Sequence, residues 1–248
     1  MNMTRIFSTL NRKSTLVLAL TLGLSSLQAA RNLPEGPTPQ AEVPCGGTPK
    51  RFDSGQVEQC TLAREHRHGQ VTLPAGSQVT FQKTGELAEA VLSAPTLVSG
   101  QELPTKATLF FDPAGRMRHF WLFEEATIQG HRLRGMGRFY TGYLGHMLHA
   151  NGKLRAVWLA EEETIDGLPC ASTLPVLRGA WTAVKLGAQA MAWFYEDGRL
   201  RQAMLGQDIT YQGQALKKGT VVSLRRDGTL DAAAKKLDWA GWSTFQED

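Results

Sequence analysis

The chain has only three cysteines in 248 residues, with no Cys-x-x-Cys pair and no His-Glu-x-x-His, so no common zinc spacing is present. It also lacks a Gly-x-Ser-x-Gly elbow and a Walker loop, which removes the usual signatures of a serine hydrolase and of a phosphate-cradling loop. Gly135-Met136-Gly137 begins like a dinucleotide fingerprint, but Tyr140 stands where the third glycine belongs and no βαβ rhythm surrounds it. Neither sign of charge dominates, with 27 Lys+Arg against 23 Asp+Glu. No apolar run reaches the roughly 20 residues that a membrane-spanning helix needs.

The segment up to residue 30 is unlike the rest. It holds Arg5, Arg12 and Lys13 and no acid, then an apolar run from Leu16 to Leu24, then Ser25, Ser26, Ala29 and Ala30. A basic start, a short apolar centre and small residues at the end predict a secretory signal peptide over residues 1–30, cut after Ala29 or Ala30. An uncleaved anchor is the alternative. Without those three cations the remaining chain has 24 basic and 23 acidic residues, close to neutral, so its global charge carries no nucleic-acid footprint. Export implies a periplasmic or extracellular location, where disulfides persist. Cys45 and Cys60, 15 residues apart, can then pair and staple the N-terminal segment to the first strand region, leaving Cys170 as a buried thiol. Residues 31–50, with Pro34, Pro37, Pro39, Pro44 and Pro49, read as a linker or tail, and residues 51–248 as one domain.

That domain repeats itself. Gly55, Gly85, Gly115, Gly152, Gly198 and Gly228 each close a short polar turn, at spacings of 30, 30, 37, 46 and 30 residues. Two positions beyond each glycine the residue is apolar, and seven beyond it stands leucine in five copies: Leu62, Leu92, Leu122, Leu159 and Leu205. A second glycine follows 15 residues on at Gly100, Gly130, Gly167 and Gly213, and drifts to Gly69 and Gly241 in the terminal copies. Such a register marks a repeat architecture. Glycine before an alternating apolar segment supplies the positive φ of a tight hairpin. Ala90-Val91-Leu92, Phe120-Trp121-Leu122, Val157-Trp158-Leu159 and Ala203-Met204-Leu205 put apolar side chains on both faces of a strand, which calls for cover on both sides. The expected fold is all-β. It comprises about six 30-residue antiparallel β-hairpin repeats, each of roughly three short strands, arranged as a wrapped or two-layer stack. Asp231–Leu237 can form a short C-terminal capping helix, with Trp239, Trp242 and Phe245 closing the core.

Two copies are lengthened, between Gly115 and Gly152 and between Gly152 and Gly198. Insertions in a repeat array are where binding surfaces are elaborated. Phe139, Tyr140 and Tyr143 in the first and Trp181 in the second are therefore candidate ligand-binding residues, suited to stacking on a sugar ring or a partner peptide; extra core is the plainer account. His66/His68 and His146/His149 each offer two imidazoles, too few for a metal without further ligands. Glu124/Glu125, Glu161/Glu162/Glu163 and Asp208 recur nine to eleven residues after the turn glycine and read as an edge-protecting acidic row. A weak Ca²⁺ site of hard oxygens is the sharper alternative. No cofactor is expected.

The stretches YEDGRLRQAMLGQDITYQG (residues 195–213) and LRRDGTLD (residues 224–231), with weaker copies upstream, resemble the bacterial variant of MORN-type repeats. The unit here is longer and lacks that family's aromatic-rich consensus. The resemblance spans residues 52–230 and implies a β-hairpin scaffold for partners, with no catalytic residues to carry over. The functional expectation is an exported, non-enzymatic scaffold that binds an envelope or secreted macromolecule, protein or glycan. A glycan-binding or glycan-active protein using the insertion aromatics and acidic residues is the alternative.

Overall fold

The computed structural model describes residues 42–69, 71–135, 137, 145–172 and 191–233. All regular elements among these residues are β-strands. The first unit contains β1 (Cys45–Arg51), β2 (Val57–Leu62), β3 (His66–His68) and β4 (Val71–Leu73). The second contains β5 (Gln78–Phe81), β6 (Leu87–Val91), β7 (Thr96–Val98) and β8 (Gln101–Leu103). The third contains β9 (Thr108–Phe111), β10 (Met117–Trp121), β11 (Ala126–Ile128) and β12 (His131–Leu133). The fourth contains β13 (His146–Leu148), β14 (Leu154–Val157), β15 (Glu163–Ile165) and β16 (Leu168–Cys170). The fifth contains β17 (Ala192–Phe194), β18 (Leu200–Met204), β19 (Ile209–Tyr211) and β20 (Gln214–Leu216), and β21 (Val221–Ser223) opens the sixth.

The first two strands of each unit join one antiparallel sheet of eleven strands, in the order β1-β2-β5-β6-β9-β10-β13-β14-β17-β18-β21. The last two strands of each complete unit form a separate two-stranded hairpin. A unit therefore has four strands, where the sequence suggests three. The residues after the second glycine, such as His131-Arg132-Leu133, pair with those before it, but three residues are too few to display a period of two.

The two glycines build different turns. At the first, the residue three positions earlier accepts the glycine N–H, as Asp112 O does from Gly115 at 2.9 Å, and that residue's N–H bonds beyond the turn to Arg116 O at 2.9 Å. The glycine has positive φ, from 74° at Gly115 to 94° at Gly198, so this is a type I turn closed by a glycine bulge. At the second, two successive residues are left-handed, as with Gln129 (53°) and Gly130 (88°), which twists the short hairpin as a two-residue loop requires. Gly69 takes the first of those two loop positions, which explains its one-residue drift in the sequence.

Each hairpin folds over one face of the long sheet. Val98, Leu103, Ile128, Leu133, Ile165 and Leu168 from the hairpins join Leu62, Phe81, Phe111 and Phe194 from the sheet, and Leu92, Leu122, Leu159 and Leu205 just beyond its strands, in one core. The five leucines seven beyond the turn are each 1–2% exposed, and truncating any one to Ala would cost about 2–5 kcal/mol. Trp121, Met147, Ala156, Trp158 and Trp193 are buried on the opposite face of the sheet. That is the two-sided burial implied by the apolar runs, strongest in the central units and weaker at Val91 and Met204.

The stretch assigned to a tail up to residue 50 contributes its last residues to the sheet. There β1 pairs with β2 as an edge strand, and Cys45 and Cys60 are disulfide-bonded with their Cα atoms 5.7 Å apart. An edge position tolerates Pro49, whose nitrogen cannot donate to a ladder. The tail before residue 42 and the capping segment beyond residue 233 lie outside the described residues.

Candidate functional site

Among the described residues of this meander, each tight turn falls at one end of the long sheet and each hairpin departs from the other. The hairpins double back, so their tips meet the turn of the next unit. Leu87 N donates to His68 Nε2 at 3.2 Å, Leu154 N to Gln129 Oε1 at 3.1 Å, Leu200 N to Asp166 Oδ2 at 2.7 Å and Leu230 N to Gln212 Oε1 at 3.1 Å. Successive turns are tied to one another as well. Asn151 Nδ2 donates to Glu196 O at 2.9 Å, Lys153 Nζ to Asp197 O at 2.9 Å, and Tyr195 OH to Leu224 O at 2.8 Å. These bonds make the turn edge a fixed surface rather than a row of independent loops.

Three consecutive units decorate that edge alike. Their turns continue as Gly115-Arg-Met-Arg, Gly152-Lys-Leu-Arg and Gly198-Arg-Leu-Arg, so cations stand one and three positions beyond the glycine. The apolar residue between them points into the core: Met117, Leu154 and Leu200 are 4%, 3% and 1% exposed. The first cation of each pair precedes the strand, and the second, Arg118, Arg155 or Arg201, is the extra residue of a β-bulge that the register leaves unpaired. Units one, two and six place Gln56/Glu58, Glu86/Ala88 and Thr229/Asp231 at the same positions. Equivalent residues in successive units are two strands apart, about 9.5 Å.

The outer cation of each pair is accessible and the inner one is more enclosed. The Arg116 and Arg199 side chains are each 53% exposed, whereas Arg118 is 4% exposed. Asp112 Oδ2 lies 3.0 Å from Arg116 Nε and 3.6 Å from Arg118 Nε. Burial alone would raise the Asp112 carboxyl, but the backbone and side-chain bonds from Arg116 outweigh it and hold the group below the usual range. Asp197 accepts from Arg199 Nε at 3.0 Å and Nη2 at 2.8 Å, and these bonds likewise lower its carboxyl. The segments 112–118, 149–155 and 195–201 together hold six Lys or Arg and three Asp or Glu. Beside them the Tyr195 ring carries the Arg226 guanidinium at 4.7 Å and that of Arg201 at 5.5 Å.

The groups singled out in the sequence have other fates. Phe139, Tyr140, Tyr143 and Trp181 lie outside the described residues. In the acidic row, Glu163 meets His131 Nδ1 at 2.7 Å, Glu125 meets Arg132 at 3.3 Å, Asp208 meets Lys217 at 2.7 Å, and Glu162 bonds Gln207. Among the described residues no group of three or more His, Cys, Asp or Glu stands close enough to hold a metal ion. The two histidine pairs are not brought together as ligand sets. His146 is buried, with Nε2 3.0 Å from Arg134 O, while His149 reaches across to Phe194 O at 3.0 Å. Cys170 is fully buried, and burial pushes its thiol up to about 12. The cation pairs were not singled out in the sequence; aligning the units on their turn glycines and comparing the positions on either side of the apolar residue would have exposed them.

Compared with known protein families, curated proteins and solved structures, the chain matches none of them.

Proposed function

We propose that the protein is an exported, non-enzymatic β-repeat scaffold that holds another envelope or secreted macromolecule. One observation carries the reading: consecutive units present like side chains in like places along a single braced edge, as a surface for an extended partner would. The reactive groups singled out in the sequence among the described residues are engaged structurally. The acidic row is ion-paired, His146 is hydrogen-bonded inside the core, and the Cys170 thiol is held protonated by burial. The likeness of the turn pattern to bacterial MORN-type hairpin repeats supports the same role. Pairing of Cys45 with Cys60 favours an oxidising compartment, in agreement with the signal-like segment.

The test is fractionation followed by binding. The protein recovered from cells is expected outside the cytoplasm with one thiol per chain titratable after unfolding. It should bind isolated envelope or secreted material saturably, with displacement by unlabelled protein. Retention in the cytoplasm with three free thiols, or binding that never saturates, would overturn the reading.

A further inference from the structure

We propose that the edge carrying Arg116, Lys153 and Arg199, backed by Arg118, Arg155 and Arg201, docks an acidic linear polysaccharide. This deepens the scaffold reading and rests on it. The cation pair recurs in three consecutive units and in no other described unit, so it is not a demand of the hairpin turn. Gln56/Glu58, Glu86/Ala88 and Thr229/Asp231 close the same turn without it. Neither does the core require it, because Met117, Leu154 and Leu200 do the packing between the cations.

Geometry selects the shape of the partner. The backbone positions of the outer cations, at the starts of alternate strands, lie about 9.5 Å apart along a line that crosses the strands, and Lys153 Nζ leans onto the next turn, 2.9 Å from Asp197 O. A stiff polymer bearing one acidic group per disaccharide offers anions at a comparable, regular interval. The two outer guanidiniums are half exposed, and Lys153 is exposed as well. Bonds between neighbouring turns hold Lys153 against the Asp197 carbonyl and Asn151 against that of Glu196, so the row is ordered before a partner arrives. Since the chain beyond residue 30 is nearly neutral, attraction of a polyanion would be local to this edge rather than general to the molecule.

The test compares two triple variants of equal charge. Arg116→Gln/Lys153→Gln/Arg199→Gln strips the edge. Arg132→Gln/Lys217→Gln/Lys218→Gln removes three exposed cations elsewhere. Both substitute surface side chains, and circular dichroism with thermal melts checks that both remain folded. The probes are hyaluronate, which bears one carboxylate per disaccharide, and the more densely charged heparin, with neutral dextran and a single-stranded oligonucleotide as controls, measured by calorimetry at low and physiological salt. The wild-type protein is expected to bind at least one acidic polysaccharide more tightly than either control. The edge variant should bind about tenfold more weakly and the distal variant within about twofold of wild type. No binding of either acidic probe at low salt would overturn the proposal. Equal losses in the two variants would show general charge attraction, and tighter binding of the oligonucleotide would show the wrong class of polymer. Either of these also overturns it. If the protein still binds native envelope material saturably after the edge is stripped, the scaffold reading survives and this edge is not its docking surface.

Discussion

Gln129 donates from Nε2 to the carbonyl oxygen of Gly152 at 2.9 Å, joining a hairpin tip to a turn 23 residues further along the chain. The same amide accepts the Leu154 N–H, so one side chain satisfies two backbone groups of the next unit. Gln212 repeats the arrangement on Gly228 O and Leu230 N, at 3.0 and 3.1 Å. Gln129→Ala is expected to lower stability by about 1–2 kcal/mol, the sum of two ordinary hydrogen bonds. Urea unfolding would read this. A variant as stable as the parent would show that the clamp contributes nothing.

Two glycines should respond unequally to the same substitution. A Cβ on Gly135 would overlap the backbone carbonyl carbon of Glu124 and sit 2.6 Å from Glu125 N, where no rotamer change gives relief. On Gly100 it would meet nothing within 4 Å, but φ is 77°. Gly100→Ala is expected to cost about 1–2 kcal/mol from the left-handed backbone alone. Gly135→Ala should cost about 3 kcal/mol or more, since a backbone clash forces the segment to move. Equal melting temperatures for the two variants would contradict the close approach at Gly135.

Acid should weaken the fold through its buried imidazoles. His146 stands where other units carry Val79, Leu109, Ala192 and Val222, and burial lowers its pKa to about 4. His119, stacked on Phe110 with ring centroids 4.3 Å apart, is lowered by burial to about 4 too. In the unfolded chain both titrate near 6.5, so between about 6.5 and 4 the unfolded state binds more protons. Their stabilising contribution is complete above about 6.5 and is lost as the pH falls toward 4, on the order of 2–3 kcal/mol for the fully buried His146. His146→Val should flatten the fall in unfolding free energy between pH 7 and 5. An unchanged slope would mean that His146 does not carry the effect.

Reduction should act on one end of the array. The Cys45–Cys60 bridge closes a 15-residue loop that holds the edge strand β1 on β2. Cys45→Ser/Cys60→Ser is expected to lose about 3 kcal/mol. Amide exchange should show the loss first in β1 and β2, and uniform loosening across all units would argue against a local staple.

The repeat was legible in the sequence because its strongest constraints are conformational and recur. A bulged type I turn needs glycine at Gly115 and Gly198, and a leucine such as Leu122 or Leu159 fills the same core place in each unit. The separate hairpin layer was harder to see, since three-residue strands show no period and their inward residues, Ile128 and Leu133, straddle a polar loop. The strand at Cys45–Arg51 was hidden by Pro49 and two glycines, which an edge accepts and an interior strand would not. The cation pairs escaped because a charge beside a turn ordinarily means no more than solvation, and their meaning lies in recurrence at fixed positions. His146, which the sequence pairs with His149 as two imidazoles too few for a metal, is a polar replacement for an apolar core residue.

The meander has a kinetic corollary. Each strand of the long sheet finds its neighbours among the strands just before and after it in the chain, even across the lengthened units. Closing such short loops loses little chain entropy, so pairing can start at any unit and spread to either side. An eleven-stranded sheet would ordinarily be a slow folder dominated by distant contacts. This one grows by addition, and removing a whole 30-residue unit in register, such as residues 85–114, would shorten the array without asking any remaining strand to seek a new kind of partner.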